Sequence, residues 1–448
     1  MADRITKNKM TLKIIKITSL LLLLFTTSVI GQSTADDLDK YWDYRSRFLG
    51  NDGYGGFISV GPDQGQSIPA SMRNINCDCL RDWSLVNSGM ELHEGNGYLK
   101  WGDATTHLGY YLAMLSMEYK NLIDAKADTR ATVRELFYAL KAYERLDKMA
   151  EVTLGMEPEL NGFFLRDDIP IDFYKEEKSP NGFRFPHQEK GGYNCVNSDY
   201  CKGSRSVDGG SYISQDQATA LLFGFAFVKK FVGEVVYKKE SSEKFGDYAK
   251  LYTHLIVSYM KEHKWKLKSP DGQKISNRWG GDVRAFNTLF ASAANDITEG
   301  MFDYNYNKKT FLGRLIKGSY SWAFGLHNEG NYSMIFKLMM VSDQWSAGQM
   351  GKRAIKADKI FYALADAVLN DRNMDAAIKK TDFEQLIKTA PLNGPCFGTP
   401  DCDAPDGWKS SQLWFHTNQK NGNPYGQHFE YPGVDFMLIY NLYHYYYK

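Results

Sequence analysis

Ser214-Gln215-Asp216-Gln217-Ala218-Thr219-Ala220-Leu221-Leu222-Phe223-Gly224-Phe225-Ala226-Phe227-Val228 opens on four polar residues and then turns apolar, and the apolar character extends to Val232. From Ala218 to Val228 the only polar side chain is Thr219, so neither a two-residue nor a one-sided helical period can be read from it. A helix apolar nearly all round must be buried on all sides. The same unit recurs along the chain, a Gly/Asp/Trp-rich loop followed by an apolar helix. Trp101-Gly102-Asp103 precedes residues 108–119, and Trp279-Gly280-Gly281-Asp282 precedes 286–294. His327-Asn328-Glu329 precedes 332–341, and Tyr431-Pro432-Gly433 precedes 434–447.

Between these units lie segments of another kind. Residues 129–149 carry Val133, Leu136, Phe137, Leu140 and Leu146 on one stripe, with Arg134, Glu135, Lys141, Glu144 and Arg145 elsewhere. Residues 245–261 and 353–369 read the same way, as helices with one wet face. Buried helices alternating with half-wet ones imply an all-α fold of two concentric layers. Only 55–60 and 234–238 hint at strands.

The ends and the composition set the domain. Arg4, Lys7, Lys9, Lys13 and Lys16 precede an apolar run from Ile17 to Ile30, and Val29 and Gly31 are the small residues before a cut at Gln32. That layout marks residues 1–31 as a secretory signal peptide, its apolar run too short to span a membrane comfortably. Residues 32–448 show no linker or low-complexity tract and are expected to form one domain, secreted or periplasmic. The whole chain carries a net charge of +1. Loss of the five leader cations and one leader acid leaves it slightly acidic, with no footprint for nucleic acid or for an anionic membrane surface. No membrane insertion is expected once the signal is removed. Six cysteines fall into close pairs. In an exported chain Cys195–Cys201 and Cys396–Cys402 read as disulfides stapling loops, with Cys77–Cys79 a tighter and more strained third.

Trp101-Gly102-Asp103-Ala104-Thr105-Thr106-His107, Phe163-Phe164-Leu165-Arg166-Asp167-Asp168 and Ser214-Gln215-Asp216-Gln217 look like family signatures. With the helix pattern of residues 80–448, they resemble the (α/α)6-type toroids of secreted glycoside hydrolases and polysaccharide lyases. The resemblance implies two concentric helix rings, long loops at one end, and a substrate cleft where those loops feed the inner helices. It also implies an inverting outcome, the commoner habit of such hydrolases.

Asp103, Asp216 and Asp282 each sit within a few residues of an apolar helix start, and Asp167 and Asp168 lie in a loop. An aspartate there serves equally as an N-cap. Its company favours chemistry: Trp101 and His107 beside Asp103, Gln215 and Gln217 beside Asp216, Arg166 and Asp167 beside Asp168. Glycoside hydrolysis needs one protonated and one ionised carboxyl across the scissile bond, and burial separates such pairs in pKa. Asp168 and Asp216 are the expected acid and base or nucleophile, Asp103 is the third candidate, and Asp167 is the substitute for Asp168.

The stretch from Trp322 to Tyr332 supplies His327, Asn328 and Tyr332. This set reads as a substrate-contact or capping loop, and it also suits β-elimination from a uronic acid, with an amide neutralising the carboxylate and His or Tyr moving protons. His428 and Glu430 open the last apolar helix in a similar way. Trp101, Trp279, Trp322 and Trp408 sit in Gly- or Asp-rich loops, where an indole face suits a pyranose ring. No cofactor or metal is expected, and GxSxG, HExxH and P-loop motifs are absent. The partner expected is a poly- or oligosaccharide, cleaved by hydrolysis. A lyase and a non-catalytic glycan binder are the alternatives.

Overall fold

A computed structural model describes residues 35–50, 56–70, 72–74, 90–93, 97–100, 104–168, 183–184, 212–273, 275, 286–302, 329–391, 408, 429–430 and 432–448. The chain is predominantly helical. In order, the helices are α1 (Ala35–Leu49), α2 (Ala104–Asp124), α3 (Arg130–Lys148), the single turn α4 (Ala150–Thr153), α5 (Gln215–Val232) and α6 (Phe245–Glu262). They continue with α7 (Asn287–Ile297), α8 (Glu329–Val341), α9 (Ala347–Lys356), α10 (Phe361–Leu369), α11 (Lys380–Thr389) and α12 (Val434–Tyr446). The apolar runs become α2, α5, α7, α8 and α12. Residues 217–228 of α5, 108–118 of α2 and 434–443 of α12 are buried without interruption, as a helix lacking a polar face requires.

Two neighbours touch backbone to backbone. A Cβ at Gly109 of α2 would lie 2.1 Å from the Ala220 carbonyl oxygen of α5, and one at Gly224 would lie 2.3 Å from the Gly109 oxygen. Only glycine permits that approach. Around this pair, α5 packs on α7, α7 on α8, α8 on α10, α10 on α12, and α12 returns to α2. α5 also touches α8 and α10, so side chains fill the interior. The half-wet helices pack against these: α1 and α11 on α12, α3 on α2, α6 on α5, and α9 on α10.

The six buried helices run the same way, because their C-terminal ends meet. Lys230 donates to the Leu369 carbonyl at 2.7 Å, Asn370 to Met340 at 3.1 Å, and Lys229 to Asp296 at 3.4 Å. Phe231 packs on Tyr445 with centroids 5.4 Å apart, and Lys448 pairs with Asp124. Cations placed on the last carbonyls of a helix also complement its dipole. The N-terminal ends therefore share the opposite end.

Several features depart from the sequence reading. The segment 353–369 is two helices, since α9 closes with Asp358 in the left-handed region (φ 53°) and Lys359 N–H bonding the Ala354 carbonyl. That is a helix stop by backbone geometry. The second half, α10, is buried throughout and belongs with the buried helices. Among the described residues a five-stranded antiparallel sheet, order β4-β2-β3-β1-β5, joins β1 (Met72–Asn74), β2 (Met90–His93), β3 (Gly97–Lys100), β4 (Phe183–Arg184) and β5 (Phe429–Glu430). Strands of two to four residues carry no readable alternation. β3 ends shortly before α2 and β5 shortly before α12, so the sheet sits at their N-terminal end. The expected strand at 234–238 is a single bridge, Val236 to Lys244, and residues 56–60 form no strand.

α1 has no counterpart among the helices read from sequence. Buried Arg45 anchors it, 2.9 Å from Glu118 of α2 and 2.8 Å from Glu135 of α3. Thr132 and Tyr111 donate to those carboxylates at 2.8 and 2.5 Å. An arginine taken out of water needs such partners. Among the described residues no helix is long and apolar enough to cross a membrane.

Candidate functional site

Residues 161–168 form a wedge where α2 and α5 begin, and the last turn of α3 grips it. Asp147 accepts the Asn161 and Gly162 N–H groups at 2.9 Å each, together with the Tyr143 hydroxyl at 2.7 Å. The Leu146 carbonyl accepts Leu165 N–H at 3.1 Å. Gly162 adopts φ 95°, and a Cβ there would strike the Leu255 carbonyl of α6 at 2.3 Å, so the turn needs glycine. On its other side the wedge meets both helix starts. Thr105 N–H bonds the Arg166 carbonyl at 3.0 Å, and Ile213 N–H bonds the Phe164 carbonyl at 2.9 Å. Phe163 stacks on Tyr212 with centroids 5.1 Å apart.

Asp168 ends this wedge in an ion pair. Arg145 of α3 donates through Nε to Oδ2 at 2.6 Å and through Nη2 to Oδ1 at 3.2 Å, and the carboxylate is fully buried. Both oxygens are thus occupied by one planar fork. The geometry gives Asp168 a holding role and disfavours it as the acid or base expected above. Asp167 is buried and Arg166 half-buried, next to the start of α2.

Asp216 is different. It is the second residue of α5 and half-exposed, and it accepts the Ser214 hydroxyl. The cap position of α5 belongs to Ser214, whose side chain makes no cap bond, and Asp216 is an acid of the first turn, where it complements the helix dipole. Phe223, two turns along the same face, touches Tyr110 of α2 and Phe361 of α10. Asp216 therefore crowns the inner side of α5.

Beneath it lies a polar cluster that sequence reading missed. Lys337 of α8, 1% exposed, donates to the Tyr110 hydroxyl at 2.7 Å, and the Ser333 and Tyr362 hydroxyls lie 2.7 Å apart. Burial pulls the Lys337 amine down to about 7, and the Asp216 charge opposes that fall. Burial likewise holds the Tyr110 phenol well above its usual range. The available signal was Lys337 itself, a lone cation in an apolar run.

Gln217 is fully buried beside Asp216. Trp101, Asp103, Trp279, Asp282, Trp322, His327, Asn328, His428 and all six cysteines lie outside the described residues, as does the segment 1–31 that the sequence reading takes as a signal peptide. Tyr332 falls in the first turn of α8, and Glu430 on β5 stands opposite Arg73 of β1; only their backbones are described. Trp408 is fully buried and donates to the Leu386 carbonyl at 2.8 Å, so it packs rather than offering a face to a sugar. Among the described residues no group of three or more His, Cys, Asp or Glu is arranged to hold a metal. Comparison with protein-family models, curated proteins and solved structures returns no match.

Proposed function

We propose that this chain is an exported glycoside hydrolase built as an (α/α)6 toroid, with its cleft at the N-terminal end of the inner helices. The neighbour order α2, α5, α7, α8, α10, α12 and back to α2, with half-wet helices outside, supports the toroid. The observation that carries the function is the meeting of the 161–168 wedge with the starts of α2 and α5. It brings Asp167 and Arg166 to the same end as half-exposed Asp216. Asp216 and Asp167 are the carboxyl pair of this reading, one giving a proton to the leaving oxygen and the other activating water. Asp103, directly before α2, is the third member. Asp168 keeps the wedge in place through Arg145.

Incubating the mature protein with a panel of polysaccharides and oligosaccharides, and following new reducing ends, tests this reading. Cleavage lost in Asp216→Asn with the fold intact supports it; no cleavage across the panel counts against it. A second reading has its own observation. Lys337, brought near neutrality beside Tyr110, suits proton abstraction, so β-elimination from a uronic acid stands as the alternative. Elimination leaves a conjugated product, and a steady rise in ultraviolet absorbance distinguishes the two.

A further inference from the structure

Gln217 and Thr106 are fully buried at the openings of α5 and α2. Among the described residues, neither the Oε1 and Nε2 atoms of Gln217 nor the Oγ1 atom of Thr106 has a hydrogen-bond partner. Buried side-chain amides and hydroxyls are paired in the great majority of proteins, and an unpaired one destabilises the fold that carries it. Their placement is related. α2 and α5 cross where Gly109 meets Ala220. Thr106 lies three residues before Gly109, and Gln217 three residues before Ala220. Each is therefore one turn nearer the N-terminal end, on the stripe that faces the other helix. By helix register, an amide and a hydroxyl that find no partner among the described residues thus stand at the same level, next to Asp216 in the chain.

We propose that Gln217 and Thr106 form a binding slot for a neutral donor–acceptor group of a sugar, a ring hydroxyl or an acetamido group. This inference rests on the carbohydrate reading of the same site. Neither side chain carries a charge, so a charged ligand group there would be buried without a counter-ion. A sugar hydroxyl or an acetamide both gives and accepts hydrogen bonds, which matches what is left unpaired. The slot binds a substrate group and positions it against Asp216; it takes no part in bond breaking.

The test compares thermal unfolding of the mature protein with that of Gln217→Met and Thr106→Val. Each is measured alone and with trisaccharides of glucose or of N-acetylglucosamine. The slot predicts that both variants melt above the wild type without ligand, because a polar group the fold does not use has been removed. It also predicts that the sugar-induced rise in melting temperature seen with wild type is lost in both. A larger wild-type shift with the acetylated trisaccharide assigns the slot to acetamide, and a larger shift with the glucose trisaccharide assigns it to hydroxyls. Variants that melt lower than wild type show that the fold uses these groups, and overturn the proposal. So does an undiminished shift in either variant, which leaves the carbohydrate reading standing. A wild type that neither trisaccharide shifts also overturns the slot. The carbohydrate reading itself fails only if the wider panel shows no cleavage.

Discussion

Arg145 and Asp168 form a two-point ion pair, Nε to Oδ2 at 2.6 Å and Nη2 to Oδ1 at 3.2 Å, joining the last turn of α3 to the end of the 161–168 wedge. The same guanidinium bonds the Gln66 carbonyl at 2.9 Å, so one side chain ties three parts of the chain. Removing one partner leaves a buried charge uncompensated. Arg145→Met is expected to lose about 3–5 kcal/mol, read by urea denaturation. Asp168→Asn is expected to lose stability first and turnover only in proportion to unfolded protein. A stable Asp168→Asn variant that has lost cleavage would restore Asp168 to the chemistry.

Asp216→Asn is the opposite case. The carboxylate is half-exposed and its recorded partner is the Ser214 hydroxyl, which an amide oxygen can still accept. Its melting temperature is expected to stay within a degree or two of wild type, while cleavage falls about 10²–10⁴-fold. Near-normal turnover on a substrate the wild type cleaves removes Asp216 from the mechanism.

Gly109→Ala tests the crossing of α2 and α5. The added methyl would sit 2.1 Å from a backbone oxygen that cannot swing away, so the helices must separate. Overpacking of this kind costs about 1–3 kcal/mol, occasionally more. Calorimetry that finds Gly109→Ala as stable as wild type, or more so, contradicts this contact.

Two buried groups make opposite demands on pH. Burial pushes the Glu151 carboxyl up to about 8 from an ordinary 4.5. The folded state holds that proton more tightly than the unfolded chain does, so the group's contribution is full below about pH 4.5 and is lost as pH rises to about 8. Glu151→Gln keeps an oxygen for the Asn161 amide donor, now 3.0 Å away, and is expected to flatten that decline. Lys337 works in reverse. Its amine falls from 10.5 to about 7 on folding, so stability is lost as pH drops from about 10.5 to about 7. Lys337→Met is expected to be more stable than wild type at neutral pH, by denaturant titration. A destabilised Lys337→Met would mean that partners of the ammonium outweigh its burial.

Legibility followed the range of the interaction. Residues 218–228 announce a buried helix because their composition leaves no face for water, a property of neighbours in the chain. The amphipathic stripe of 129–149 announces α3 in the same way. The stop between α9 and α10 hides in Lys356-Ala357-Asp358-Lys359, where an aspartate takes a left-handed conformation without a glycine to mark it. The sheet hides because β1 pairs with β5 across most of the chain, through strands too short for a pattern.

The site divides along the same line. From residue types alone come the helical class, the helix that Asp216 opens, and the clustering of Arg166, Asp167 and Asp168. Composition and local spacing act over a few residues and need no partner. What the tertiary structure decided is which aspartate faces outward and which is locked. Asp167, Asp168 and Asp216 look alike in sequence. Asp168 is claimed by Arg145, 23 residues earlier, and Lys337 becomes a buried amine only because Tyr110 of α2 meets it from 227 residues away. A carboxylate or an amine takes its character from the charges and the solvent around it, and those are brought together only when the helices pack.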